Sequence, residues 1–460
     1  MEILILGGIG GMAGLIFWLL MPRLFTMLAI FFTLFQFGWF VRYYSAPPLL
    51  NRATLVMVGL LGLRVFVHFL LKKPSVRNEN GHLMPLFMLA VYFIMLTLIS
   101  NLYNEEKVFL GLYSLRYYFI GLTFTFALYL YCDDYLSFES FKKNIIYLAL
   151  IQLPMSIAKY IAAGGGTLNT LDTVGGTFAG YGELVICQVI AIGIVLTDKF
   201  IQRTNTLPHI NSYVLLLLII IPLLLSKSKS ATIFVIMIVL FVLIYSLFKR
   251  RNLVSALKHI SLTSLICITF SSLFYIFFWK SGEYDISNYI NPEYVLDYYM
   301  REPLLDNKRI SGGADPNMGR FRAVYTAWNL VQQDIMHALL GYGAGSGSEA
   351  SFLGVDGSLY QKSGPLAGIA RNQYSKSILE FGMLGLIGII YFCYAFGRRL
   401  RFIANTGAGL RIVYSVILVV LTILSVYTIT LESYLFCFIF AYFIAVSHSE
   451  LVRNTNNDFH

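Results

Sequence analysis

Residues 211–251, NSYVLLLLIIIPLLLSKSKSATIFVIMIVLFVLIYSLFKRR, decide the fold class. Two apolar runs, 211–226 and 230–248, follow one another across a few polar residues. Each approaches the length of about 20 residues that a helix needs to cross a hydrocarbon core. The second run stops at Lys249, Arg250 and Arg251, a basic cluster of the kind that short loops keep on the cytoplasmic side. Two helices crossing a bilayer in opposite directions satisfy this pattern.

Outward from there the pattern repeats. Apolar runs near 2–21, 24–42, 52–71, 84–102, 109–131, 144–162, 183–199, 256–279, 377–396, 411–429 and 432–448 bring the expected number of transmembrane helices to about 12–14. The composition agrees. Of 460 residues 57% are hydrophobic and only 13% charged, and the mean hydropathy is +0.70. A soluble domain carries about 25% charged residues. A secreted enzyme, a nucleic-acid-binding module and a disordered scaffold are thereby excluded, since none could hide so much apolar surface without lipid. The net charge of +10 is accounted for by Lys and Arg retained in cytoplasmic loops, with no need of nucleic acid. The fold class expected is an all-α polytopic membrane protein, with residues 1–460 as a single transmembrane domain. The first run, MEILILGGIGGMAGLIFWLLMPR, lacks a basic leader and a small-residue cleavage site and is read as a membrane helix.

Basic clusters at Lys72, Lys73 and Arg77, at Lys142 and Lys143, at Lys249 to Arg251, and at Arg398, Arg399 and Arg401 alternate consistently and belong inside. The long segment 280–376 then lies outside as one large external loop. It holds ten of the 24 acidic residues. Within it, residues 318–336 place Phe321, Val324, Tyr325, Trp328 and Val331 at spacings of three and four, an apolar stripe expected to pack on the membrane domain.

An ionisable group inside a membrane helix costs about 2.5 to 3.5 kcal/mol on insertion scales, so each needs a partner or a task. Arg64, Arg116, Lys229, Glu183, Glu380 and Glu432 fall in or beside apolar runs. Arg64 shares a helix face with His68 and is read as a polar contact between helices. For Arg116 an anion-binding role and a structural one stand side by side. Lys227 and Lys229 on the outer side breach the positive-inside trend, which fits an anionic partner or snorkelling to lipid headgroups. Five scattered cysteines form no metal or disulfide pattern, and Asp285, Glu293 and Asp297 are too dispersed for a metal site, so no metal is expected. His337 precedes ALLG, where helix termination is the plainer role, and the glycines of GYGAGSG (341–347) serve a turn or cradle phosphate.

Arg320 lies eight residues before Trp328, followed by HALLGYGAG (337–345), and Arg371 beside Asn372 opens the next helix. Upstream stand GGTFAGYGELVI (175–186) and SKSATI (228–233), with Lys229 where Arg is more usual. Together these segments resemble the O-antigen polymerase and ligase superfamily over about 175–395. The resemblance implies a GT-C-like membrane glycosyltransferase fold and a bacterial inner-membrane enzyme working on the external, periplasmic side. It also implies an undecaprenyl-pyrophosphate-linked glycan as donor and a second lipid-linked repeat unit as acceptor, with a chain-length regulator protein as a further partner and no cofactor. Family ligases carry His where Arg371 stands, so the resemblance leans to polymerase; ligase is the alternative, and a lipid-linked glycan transporter is the competitor from another class. For the chemistry, Arg320 and Arg371 suit the developing charge of a pyrophosphate leaving group, because guanidinium binds such oxygens bidentately. Arg116 and Lys229 extend that cationic patch, and Glu380 is the candidate base. His337 and Arg322 are secondary candidates. Arg371, protonated at all working pH values, cannot act as a base.

The topology predicts that Ser311→Cys and Ser358→Cys, in a background cleared of native cysteines, react with an impermeant maleimide in intact spheroplasts. Protection of both from outside would overturn it.

Overall fold

The computed structural model describes residues 18–36, 53–71, 84–162, 175–178, 181–226, 229–249, 272, 292–300, 319–347, 349–350, 355–363, 372–403, 407–427 and 433–457. The apolar runs are helices: α1 (Pro22–Leu34), α2 (Ala53–Leu71), α3 (Met84–Tyr103), α4 (Val108–Ser114), α5 (Arg116–Tyr131), α6 (Phe138–Ala162), α7 (Tyr181–Thr197), α8 (Ser212–Leu225) and α9 (Lys229–Lys249). After them come α10 (Pro292–Met300), α11 (Arg320–Val331), α12 (Ile335–Leu340), α13 (Ser358–Ser363), α14 (Gln373–Arg399), α15 (Gly407–Tyr427) and α16 (Tyr434–Asn457). A two-residue antiparallel pair, β1 (Glu349–Ala350) with β2 (Val355–Asp356), sets Glu349 opposite Asp356. Among the described residues five helices are long and apolar enough to cross a membrane and five more are shorter apolar helices. The chain is an all-α polytopic membrane protein. Most of the predicted spans 2–21 and 256–279, and the end of 24–42, lie outside the described residues.

Two expectations are corrected. The run 109–131 is not one helix: α4 ends at Ser114 and α5 restarts at Arg116, with Leu115 between them at φ −71° and ψ −8°. The last long helix of the site region begins at Gln373 rather than near 377, because Asn372 caps it. The Asn372 side chain accepts from the Ser375 amide at 2.9 Å, and the Ser375 hydroxyl reaches back to the Asn372 amide, a capping box that satisfies two amides with no helical partner.

α7 is the hub. Its residues from Leu184 to Leu196 are buried, and it packs against α6, α8, α9, α15 and α16. Outer helices instead present large apolar side chains outward, among them Phe66 (60% exposed), Leu70 (67%) and Ile390 (67%). A helix apolar all round that is buried on one side only needs lipid on the other.

Contacts at the helix ends define two faces of the bundle. At one, Lys142 Nζ on α6 lies 2.9 Å from Asp198 Oδ1 just past α7 and 3.2 Å from Gln202 Oε1, and the Phe138 amide donates to Glu450 on α16 at 3.1 Å. At the other, Ser433 donates to Glu183 Oε1 at the start of α7 (3.0 Å), and Tyr374 on α14 donates to the Thr422 carbonyl near the end of α15 (2.9 Å). Lys249, Arg398 and Arg399 close α9 and α14 at the first face, so the start of α14 belongs to the second.

Lys142 and Asp198 are each about 1% exposed. Removing one partner of such a pair leaves an uncompensated charge, so Lys142→Met should lower stability by about 3–5 kcal/mol. Adding Asp198→Asn should restore most of the loss, read as melting temperature in detergent.

Candidate active site

The first turns of α14 are polar yet buried: Asn372, Gln373, Ser375, Lys376, Ser377 and Glu380 are all inside the protein. Buried polar groups cost free energy unless hydrogen-bonded, and these are distributed among neighbours. Gln373 donates to Ser377 Oγ at 3.0 Å. Glu380, 1% exposed, accepts from Ser114 Oγ at 3.3 Å on one carboxylate oxygen, and Lys376 Nζ lies 3.8 Å from the other. Glu380 thus joins the α4–α5 break to the start of α14.

Its place is set by a backbone crossing. Residues 341–346 run against α14 at Leu379–Gly382, where the Tyr342 amide donates to the Leu379 carbonyl at 2.7 Å. At Gly382 α14 leaves helical geometry, with φ 58° and ψ −155°. Gly341 has φ +71°, and a Cβ there would sit 2.6 Å from Glu380 C and Phe381 N; a Cβ on Gly382 would sit 2.6 Å from Leu339 O. Only two glycines can make this contact.

The end of α3 holds the loop from the other side. Ser100 Oγ donates to the Leu340 carbonyl at 2.8 Å, and Asn104 donates to the Gly341 carbonyl at 3.0 Å. Asn101 accepts from the Ala344 amide at 2.9 Å and donates to its carbonyl at 3.2 Å. The amides of Tyr342, Ala344 and Ser346 therefore bind protein, as in a structural turn.

Two of the candidate residues, Glu380 and Arg320, are described beside α14. Arg320 opens α11, and its carbonyl accepts from the Asn372 side chain at 2.9 Å. Arg371, covalently next to Asn372, lies outside the described residues, but its neighbour is tied to Arg320. Arg116 begins α5, two residues from Ser114; it donates to the Tyr113 carbonyl at 2.8 Å, with its guanidinium 3.9 Å from the Tyr113 ring centroid. Both readings of Arg116 remain compatible with this geometry. Lys229 opens α9, and its side chain lies outside the described residues. Arg322 sits 5.5 Å from the Tyr325 ring.

His337 is a fastening. Its Nδ1 lies 3.0 Å from Asp334 Oδ2 and its Nε2 2.7 Å from Asn104 Oδ1, and its ring stacks on Tyr342 at 4.2 Å. Burial pushes the Tyr342 phenol above its usual pKa, with the Asp334 charge adding to the effect. The stripe expected on 318–336 packs in part: Val331 is buried and Val324 packs beside it, joined by Ala323 and Ala327, whereas Phe321, Tyr325 and Trp328 are 48%, 51% and 38% exposed. The small alanines let α11 approach α14 closely, and the aromatics turn outward. In the 175–178 segment Thr177 donates to the Leu34 carbonyl at 2.7 Å and receives Gln152, a clasp between α1 and α6. Arg64 donates to the Trp18 carbonyl, the interhelical contact read from its position.

Sequence reasoning missed Ser114, Lys376 and the Ser100, Asn101 and Asn104 set. A usable signal existed for the last, since ISNLYN puts four-residue-spaced polar groups at the end of an apolar helix. Among the described residues no group of three His, Cys, Asp or Glu is placed to hold a metal ion.

With this geometry in hand, residues 214–390 match the family model Wzy_C, described as O-Antigen ligase. The matched stretch takes in Arg320, Arg371 and Glu380, while Arg116 precedes it, and the match is consistent with the O-antigen polymerase and ligase superfamily. The family implies a glycosyl-transferring enzyme. No curated protein matches the chain.

The glycine crossing gives a direct test. Gly341→Ala needs a positive φ and drives a methyl into backbone, so it should cost on the order of 2–4 kcal/mol and abolish activity. Gly347→Ala, beyond the crossing, should keep both near wild type in melting and turnover assays.

Proposed function

From the O-antigen ligase-type domain at 214–390, we propose that the protein is a polysaccharide polymerase. It joins undecaprenyl-pyrophosphate-linked repeat units at the periplasmic face of a bacterial inner membrane, within a GT-C-like fold whose segment 280–376 covers the site. The observation that supports this reading most is the bond between the Arg320 backbone and Asn372, the residue after Arg371, at the head of the helix that buries Glu380.

In the transfer, the bond between the donor sugar's anomeric carbon and the pyrophosphate oxygen breaks as an acceptor hydroxyl forms the new glycosidic bond. The leaving group gains negative charge, and the guanidinium groups of Arg320 and Arg371 bind its oxygens. Arg116 and Lys229 carry the cationic surface toward the bilayer, where the polyprenyl chain lies. Glu380 takes the hydroxyl proton, held in orientation by Ser114. Fixed guanidinium groups supply the charge that a divalent ion supplies in many phosphate-handling enzymes, so the reaction is metal-independent. Arg371, in the position where family ligases carry His, favours polymerase over ligase; a chain-length regulator is the expected protein partner.

Purified protein given only the lipid-linked repeat unit should produce a ladder of products on a gel, unchanged by EDTA. Transfer only when lipid A core is added would make it a ligase. Loss of the ladder with EDTA and its return with magnesium would contradict the arginine-based scheme.

A further inference from the structure

α11 has two faces of opposite kind. Ala327 and Val331 pack with Ile378 and Leu379 on α14, and Ala323 is buried one turn before them. The other face carries Phe321, Tyr325 and Trp328 at spacings of four and three, all of them exposed. The neighbouring short helices extend that apolar surface. On α10, Leu296 and Met300 are exposed one turn apart, and the Tyr299 ring between them lies 5.2 Å from the Phe321 ring. On α12, Ile335 and Leu339 are likewise exposed one turn apart, Ile335 to 74%. Large apolar side chains gathered in one patch mark a surface that meets another apolar phase.

Contacts with two long helices set the height of this patch along the bundle. α12 is fastened to the last turn of α3, where Ser100 donates to the Leu340 carbonyl and the Tyr103 ring lies 5.8 Å from the His337 ring. On that end of α3, Ile99, Leu102 and Tyr103 are exposed and belong to the outward apolar surface that requires lipid. α11 meets α14 near its start, at Ile378 and Leu379, while Ile387 and Ile390 further along α14 face outward. The patch is therefore continuous with the lipid-facing surface of the bundle and lies at its end. Its composition suits that level, because Trp and Tyr join an apolar ring to a polar tip and concentrate where chains meet headgroups. Arg322, with its guanidinium 5.5 Å from the Tyr325 ring, has the apolar stem and charged head that reach from chains to headgroups.

We propose that α10, α11 and α12 are embedded in the headgroup region of the leaflet nearest the start of α14, with Phe321, Tyr325 and Trp328 inserted among the upper acyl chains. This goes beyond the reaction proposed above and does not depend on it. The bilayer then covers one face of α11 while the alanines hold the other to α14. Lipid thus helps to keep the Arg320 backbone at Asn372.

Fluorescence quenching by brominated phosphatidylcholine, read on the full-length protein in nanodiscs, tests the proposal. The emission of Trp328 is taken as the difference between wild type and Trp328→Phe. Bromines placed high on the acyl chains should remove most of it, and bromines near the chain ends or aqueous acrylamide much less. A spin label on Tyr325→Cys, in the background cleared of native cysteines, gives a second reading that leaves Trp328 in place. It should collide with dissolved oxygen more often than with an aqueous nickel chelate. Ready quenching by acrylamide with no effect of brominated lipid, or a spin label that favours the nickel chelate, would overturn the proposal. Stronger quenching from the chain ends would contradict the interfacial level. Shielding from acrylamide that arises only when dextran is added would mark a sugar platform and would also overturn it.

Discussion

The site depends on one close approach of two backbones. Gly341 and Gly382 meet where a loop crosses a broken helix, each in a conformation that side chains rarely adopt. That contact fixes the level of α14 at which Glu380 faces Ser114, and it leaves the preceding turns, Asn372 to Lys376, against the start of α11. The cost of breaking helical geometry at Gly382 is offset by bonds that the loop makes elsewhere. Leu379 receives the Tyr342 amide, and Ser100, Asn101 and Asn104 bond the backbone of Leu340, Gly341 and Ala344. Lipid-exposed backbone would have no such partners, so this irregular chain is possible only because protein surrounds it.

The polar run in α14 acquires its meaning from that setting. Six buried polar or charged residues in nine positions would destabilise an ordinary helix, and here Glu380 is bonded to the end of α4 and Asn372 to the start of α11. The far face of the bundle is held differently, by the compact Lys142–Asp198 pair with Gln202 and Thr206 around it. One end is a closed ion pair with short contacts. The other holds Lys376 and Glu380 in a looser contact of 3.8 Å.

The membrane helices were legible in the sequence because hydropathy depends on each residue alone, and the runs at 52–71, 84–102 and 183–199 correspond closely to α2, α3 and α7. Arg320 and Glu380 stood out as candidates in the sequence, the one by its spacing to Trp328 and HALLGYGAG and the other as a carboxylate beside an apolar run. What could not be read depends on partners far apart in the chain. Ser114 matters because Glu380, 266 positions away, comes to it, and Asn101 because it binds a loop 243 positions on. The aromatic stripe of α11 misled because large apolar side chains in a membrane protein can face lipid, whereas Ala323 and Ala327 make the closer contact.

The central claim is that guanidinium groups at the head of α14 bind the pyrophosphate by their forked geometry and not by charge alone. The initial rate of chain extension by purified Arg371→Lys, in protein whose melting temperature matches wild type, tests it most directly. Loss of the fork should remove on the order of 2–4 kcal/mol of transition-state stabilisation, a rate lower by roughly a hundredfold or more. A near-normal rate would contradict the account.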